Sequence, residues 1–166
     1  MDLMGLLSQM EGDVYLYPLF LFFYSIAAAV FLPIPVEVVL FTGSNTALWV
    51  KMVALAAGKA VGSIIVFYIG FELEGFITKW SQRWKFFGLI VRFSQWFVAK
   101  LKYLGLYILL SIPLMSDTAV LYIFSLFNKE GDTFKVKMFV VVNFLAGMTR
   151  VLIVWAFSEW IGLKLV

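Results

Sequence analysis

The sequence predicts an all-α polytopic membrane fold. It reads as an inverted repeat in which each half is a re-entrant, proline-broken helical hairpin plus a transmembrane helix, with an interfacial amphipathic linker between the halves. Three observations carry this reading. Apolar and aromatic residues make up 63% of the chain and charged residues 14%, whereas soluble domains hold about 45–50% and about 25%; a soluble fold has no interior large enough for that much apolar surface. Apolar runs recur along the chain at lengths near those that cross a hydrocarbon core of roughly 30 Å. Two of them break at proline just before an acid, in Pro33-Ile34-Pro35-Val36-Glu37 and Pro113-Leu114-Met115-Ser116-Asp117. One membrane domain is expected over 1–166, with repeat 1 at about 14–71, the linker at about 72–102 and repeat 2 at about 103–163.

Residues 14–32 are uncharged and at about 1.5 Å per residue nearly cross a bilayer core. Pro33 and Pro35 end that run, because each ring removes an amide donor and biases the preceding residue toward extended backbone. The apolar stretch at 38–49 carries polar Thr42-Gly43-Ser44-Asn45-Thr46 and is too short and too polar to span alone. Lys51 opens the next segment, which runs to about Phe71 with Ala54, Gly58, Gly62 and Gly70 on one face; small residues let helix backbones approach closely in lipid. Between 72 and 102 the chain is charged yet rich in Trp and Phe, with Ile77, Trp80, Trp84, Phe87 and Val91 at helical spacing, as in a helix lying in the membrane interface. Residues 103–127 are apolar around the Pro113 break, 128–137 form a polar connection, and 138–163 form a last span whose charges are Arg150 and Glu159.

The shared order of broken hairpin, acid, long span and base defines the repeat, and the spans align without gaps, Ala57-Gly58-Lys59 over Ala146-Gly147-Met148. If each hairpin enters and leaves on one side, each half crosses once, so the halves are oppositely oriented. Nine Lys and Arg fall on the linker side and two, Lys51 and Lys164, on the other. Basic residues accumulate in cytoplasmic loops, so the expected location is a cell membrane, multi-pass, with a cytoplasmic linker and both termini outside.

Several function classes drop out. The chain has no His and no Cys, which removes thiolate metal sites, Cys nucleophiles and His-based triads; no enzyme activity, metal or cofactor is expected. The net charge of +3 comes with 19% aromatic residues and bases beside apolar runs, the pattern of a membrane surface and not of a nucleic-acid module. Residues 1–13 contain three acids and no base, unlike a secretory leader, so the N-terminus is expected to be retained.

Four ionisable groups fall at membrane depth: Glu37, Lys59, Asp117 and Arg150. A charge at a helix centre in lipid costs roughly 2.5–3.5 kcal/mol on insertion scales, so each needs a partner or water. Asn143, Ala146, Gly147 and Arg150 stand at i, i+3, i+4 and i+7 and form one small, polar face aimed at protein. Two readings stay open, structural ion pairs that hold the halves together and a polar pathway through the bilayer. The breaks at Pro33, Pro35 and Pro113 favour the pathway, since irregular backbone at depth is tolerated only where it is buried or lines an aqueous cavity. Arg83, Lys85 and Arg92, set among Trp80, Trp84 and Trp96, are candidates for contact with anionic headgroups.

These residues resemble a known family. Phe31-Leu32-Pro33-Ile34-Pro35-Val36-Glu37, Gly58-Lys59-Ala60-Val61-Gly62-Ser63, Tyr68-Ile69-Gly70, Tyr103-Leu104-Gly105 to Ile112-Pro113, and Asn143 to Gly147 with Trp155 look like the DedA family, also called VTT-domain or SNARE-associated Golgi proteins. The chain would be a divergent member. The resemblance implies two re-entrant hairpins facing each other from opposite leaflets, and scramblase or flippase activity on a phospholipid or a polyprenyl-phosphate carrier, often tied to proton motive force. It implies importance for the hairpin acid, here Glu37. The family's arginines around the second proline are replaced by Leu110 and Ser116, leaving Lys59, Asp117 and Arg150 as a rearranged set. The expected partners are therefore membrane lipids, lipid phosphates among them, with a homo-oligomer left open. Alternatives are a small-solute or proton-coupled exporter and a non-transporting membrane assembly subunit.

Overall fold

The computed structural model describes residues 15–31, 37–40, 46–81, 85–126 and 134–162, with side chains throughout except at 37–38, 71, 74–81 and 85–95. Among the described residues all regular structure is helical: α1 (Leu16–Val30), α2 (Glu37–Leu40), α3 (Leu48–Ser81), α4 (Lys85–Ser111), α5 (Asp117–Leu126) and α6 (Val136–Ile161). Two of these, the Leu48–Gly70 part of α3 and the whole of α6, are by length and composition long and apolar enough to cross a membrane. At 15 residues, α1 is about 22 Å long, short of the roughly 30 Å of a hydrocarbon core.

Helix ends follow local chemistry. Pro18 sits in the first turn of α1, where a missing amide is harmless. Pro113 lies in the gap between α4 and α5. There Leu114 takes a left-handed conformation (φ 63°), and the Met115 N–H reaches the Ile112 carbonyl at 3.4 Å. Helix α5 is capped by Ser116, whose Oγ accepts the Ala119 N–H at 3.3 Å. At the far end of α6, Gly162 adopts the left-handed region (φ 81°) and its N–H returns to Ser158 and Glu159 carbonyls.

Contacts fix the helix directions. Lys51 stands over the Tyr17 ring, Gly58 against Phe22 and Ser25, and Gly62 against Ile26 and Ala29. Residue numbers rise together, so α1 and α3 run parallel and the intervening chain returns to the starting end of α1. In contrast α3 and α6 are antiparallel: Ala56 faces Gly147, Lys59 faces Asn143 and Phe67 faces Phe139 with ring centroids 5.2 Å apart. The remaining directions follow in the same way. Tyr103 meets Phe134 and Tyr107 bonds Thr149 at 2.7 Å, so the end of α4 runs parallel to α6. Helix α5 runs with α3, Asp117 beside Lys59 and Ser125 beside Gly70. The core between them is an aromatic cluster of Phe67, Phe97, Tyr103, Phe124, Phe134 and Phe139, ring edges on ring faces, an arrangement that the ring quadrupole favours.

The outer surface is the reverse of a soluble protein's. Leu19, Phe23, Trp49, Val61, Ile65, Leu145, Leu152, Phe157 and Trp160 are exposed, while Lys51, Lys59, Asp117, Asn143 and Arg150 are buried. Buried serines turn inward, Ser25, Ser63, Ser111, Ser125 and Ser158 each donating to a carbonyl three or four residues earlier.

The structure corrects two expectations from the sequence. The region 72–102 is not one interfacial helix: residues 72–81 continue α3 and a new helix begins at Lys85. The charges at Glu72 and Glu74 change hydropathy without supplying a proline or cap, and only the latter stop a helix. The other linker boundary coincides with a kink, where Lys102 leaves helical backbone (φ 43°, ψ −139°). The small-residue face also serves two partners. Gly58 and Gly62 pack on α1, whereas Gly70 packs on Ser125 of α5.

A Cβ at position 58 would stand 2.3 Å from the Phe22 carbonyl oxygen, a backbone atom that cannot swing aside. Gly58→Ala is therefore expected to push α1 off α3 and lower stability by about 1–3 kcal/mol, measured by unfolding of the purified protein in detergent.

Candidate functional site

Four of the ionisable and polar residues singled out from the sequence meet where α3, α5 and α6 cross. Asp117 opens α5 directly after the proline break, a position where the helix dipole favours a carboxylate. Its Oδ1 accepts a hydrogen bond of 2.5 Å from Arg150 Nη1 and lies 3.0 Å from Lys59 Nζ. Arg150 also donates through Nη2 to the Met115 carbonyl at 2.6 Å. One guanidinium thus holds two groups that follow Pro113, the Met115 carbonyl within the break and the Asp117 carboxylate that opens the next helix, through two separate N–H donors that a lysine could not place in the same way. Asn143, two turns before Arg150, donates Nδ2 to the Lys59 carbonyl at 2.8 Å; its Oδ1 is buried without a hydrogen-bond partner among the described residues.

The cluster is dry. Lys59 and Asn143 are fully buried and Arg150 is 1% exposed. Two charges taken out of water repay their desolvation only with close geometry and further hydrogen bonds, and here one carboxylate oxygen serves two cations. The face Asn143, Ala146, Gly147 and Arg150 is buried as its spacing requires, and Gly147 lets α6 approach Ala56 of α3.

The end of α1 reaches this side too. Thr118 donates to the Ala28 carbonyl at 2.6 Å and Tyr122 to that of Val30 at 3.4 Å, so the last turn of α1 docks on α5 beside Asp117. Pro33, Pro35 and Arg83 lie outside the described residues, as do the side chains of Glu37, Lys85 and Arg92. The first break, which the resemblance sets facing the second, falls outside them as well. Helix α2 begins at Glu37.

Lys51 is the residue that sequence reasoning misplaced. Counted as a base flanking a span, it is 1% exposed. Its ammonium donates to the Leu40 carbonyl at 3.4 Å and stands 5.6 Å from the centre of the Tyr17 ring, a cation–π distance. Tyr17 in turn donates its hydroxyl to the Val39 carbonyl. Lys51 and Tyr17 thereby tie α2 to α1 and α3. A signal was present: Lys51, Leu55 and Lys59 repeat every four residues, and one buried stripe holds all three.

Among the described residues no group of three or more acidic side chains is placed to hold a metal ion. No family model, curated protein or solved structure matches the chain.

Proposed function

We propose that this chain is a multi-pass membrane protein of the divergent DedA type, built from two inverted hairpin-plus-span halves, and that it moves a phospholipid or an isoprenoid phosphate between leaflets. The observation that carries the reading is the buried Lys59–Asp117–Arg150 cluster, set inside a shell of exposed apolar side chains. Ionisable residues within spans mark substrate or ion routes by default. A carboxylate shared between an ammonium and a guanidinium holds the place that a lipid phosphate would take, because both anions fit the arginine fork. The antiparallel pairing of α3 with α6, and the return of the chain between α1 and α3, support re-entrant hairpins that open from opposite sides.

Vesicles containing the protein and fluorescent phospholipid test this reading. The inner-leaflet label that an impermeant reductant cannot reach in empty vesicles should become reducible when the protein is present. An unchanged protected fraction would overturn the reading. Orientation has its own test in this Cys-free chain: single cysteines at Ser81 and Ser8 should label from opposite sides, Ser81 from the cytoplasm. Labelling of both from one side would end the inverted arrangement.

A further inference from the structure

We propose that the groove between α4 and α5 holds one acyl chain of a membrane phospholipid, with the polar end of that lipid at the Pro113 break. The inference rests on the lipid-moving reading and deepens it by giving the tail a place. The cavity measures about 300 Å³ and is lined by Phe97, Leu109, Met115, Val120, Ile123 and Phe124, with Ala119 beside them. No charged or hydrogen-bonding side chain lines it, so it offers nothing to a polar solute. Its mouth is apolar as well. Of its lining residues Ile123 is an exposed apolar side chain and Ala119 is exposed beside it, so the groove opens onto the same kind of surface that the rest of the molecule turns outward.

The charged cluster fixes which way the lipid lies. Met115 lines the groove and gives its carbonyl to Arg150, and Asp117 is two residues further on. A tail in the groove therefore ends beside the site proposed to take the phosphate, so that the head and tail of one amphiphile meet two adjoining surfaces of matching chemistry.

The experiment uses the full chain in phosphatidylcholine and phosphatidylglycerol vesicles containing a phosphatidylcholine with a photoreactive group midway along one acyl chain. After irradiation, adducts mapped by mass spectrometry should concentrate on Met115, Ala119 and Ile123 over Leu145 and Leu152, which are exposed on α6. Ala119→Trp fills the mouth and should lower the groove adducts about tenfold, the change that ~1.4 kcal/mol brings, with the adducts at Leu152 unchanged. Even labelling of both faces in the unmodified protein overturns the proposal without need of any variant. So do groove adducts that survive Ala119→Trp in a folded protein. The two readings separate cleanly: lipid movement with even labelling removes the tail site alone, and groove adducts without lipid movement remove the transport reading alone.

Discussion

Asp117→Asn is expected to destabilise the protein by about 3–5 kcal/mol, the range found when one partner of a buried ion pair is removed. Asparagine keeps the shape of the side chain but leaves Lys59 and Arg150 without the carboxylate oxygen they share at 3.0 and 2.5 Å. The loss comes less from the missing attraction than from burying two cations near an uncharged amide. This predicts a partial rescue. Lys59→Met removes one of the two cations while keeping an unbranched side chain, so the double variant Lys59→Met with Asp117→Asn should be more stable than Asp117→Asn alone. Unfolding of the three proteins in one detergent gives the comparison. Near wild-type stability for Asp117→Asn would mean that the cluster does not hold α3, α5 and α6 together.

Glu37→Gln should reduce lipid movement to the rate of empty vesicles while the protein still inserts and folds. Glu37 follows a two-proline break and opens α2, whose Val39 and Leu40 carbonyls are held by Tyr17 and Lys51. Under the proposed lipid-moving reading, an acid directly after a two-proline break is the group expected to carry the proton of the cycle, since broken backbone at membrane depth is tolerated only where it is buried or lines an aqueous cavity. Glutamine retains the shape and removes the charge. A structural ion-pair role predicts the opposite pattern, a drop in stability with activity per folded molecule nearly intact, and that result would overturn the assignment.

Much of the cluster was legible because periodicity and proline are local signals. The spacing of Asn143, Ala146, Gly147 and Arg150 defined a face, and α6 has to bury that face wherever it packs. Pro113 marked the gap before α5, and Asp117 could be read as its neighbour. Lys59 needed a partner by charge alone. What the sequence did not reveal depends on distant chain. Lys51 is buried because α1 and α2 cover it, and its polar neighbours at 42–46 disguised it as a surface base. The continuation of α3 to Ser81 was hidden because hydropathy falls at Glu72 while helix-forming backbone does not. The kink at Lys102 has no glycine or proline to announce it.

The way the cluster is assembled bears on how the chain is made. Asp117 leaves the ribosome 33 residues before Arg150, and Lys59 precedes Asn143 by 84. At about 5–20 residues per second, Asp117 waits roughly two to seven seconds for its guanidinium, and Lys59 waits longer for the helix that seals it. The cluster is therefore closed last by α6, after every other residue that contributes to it has been made.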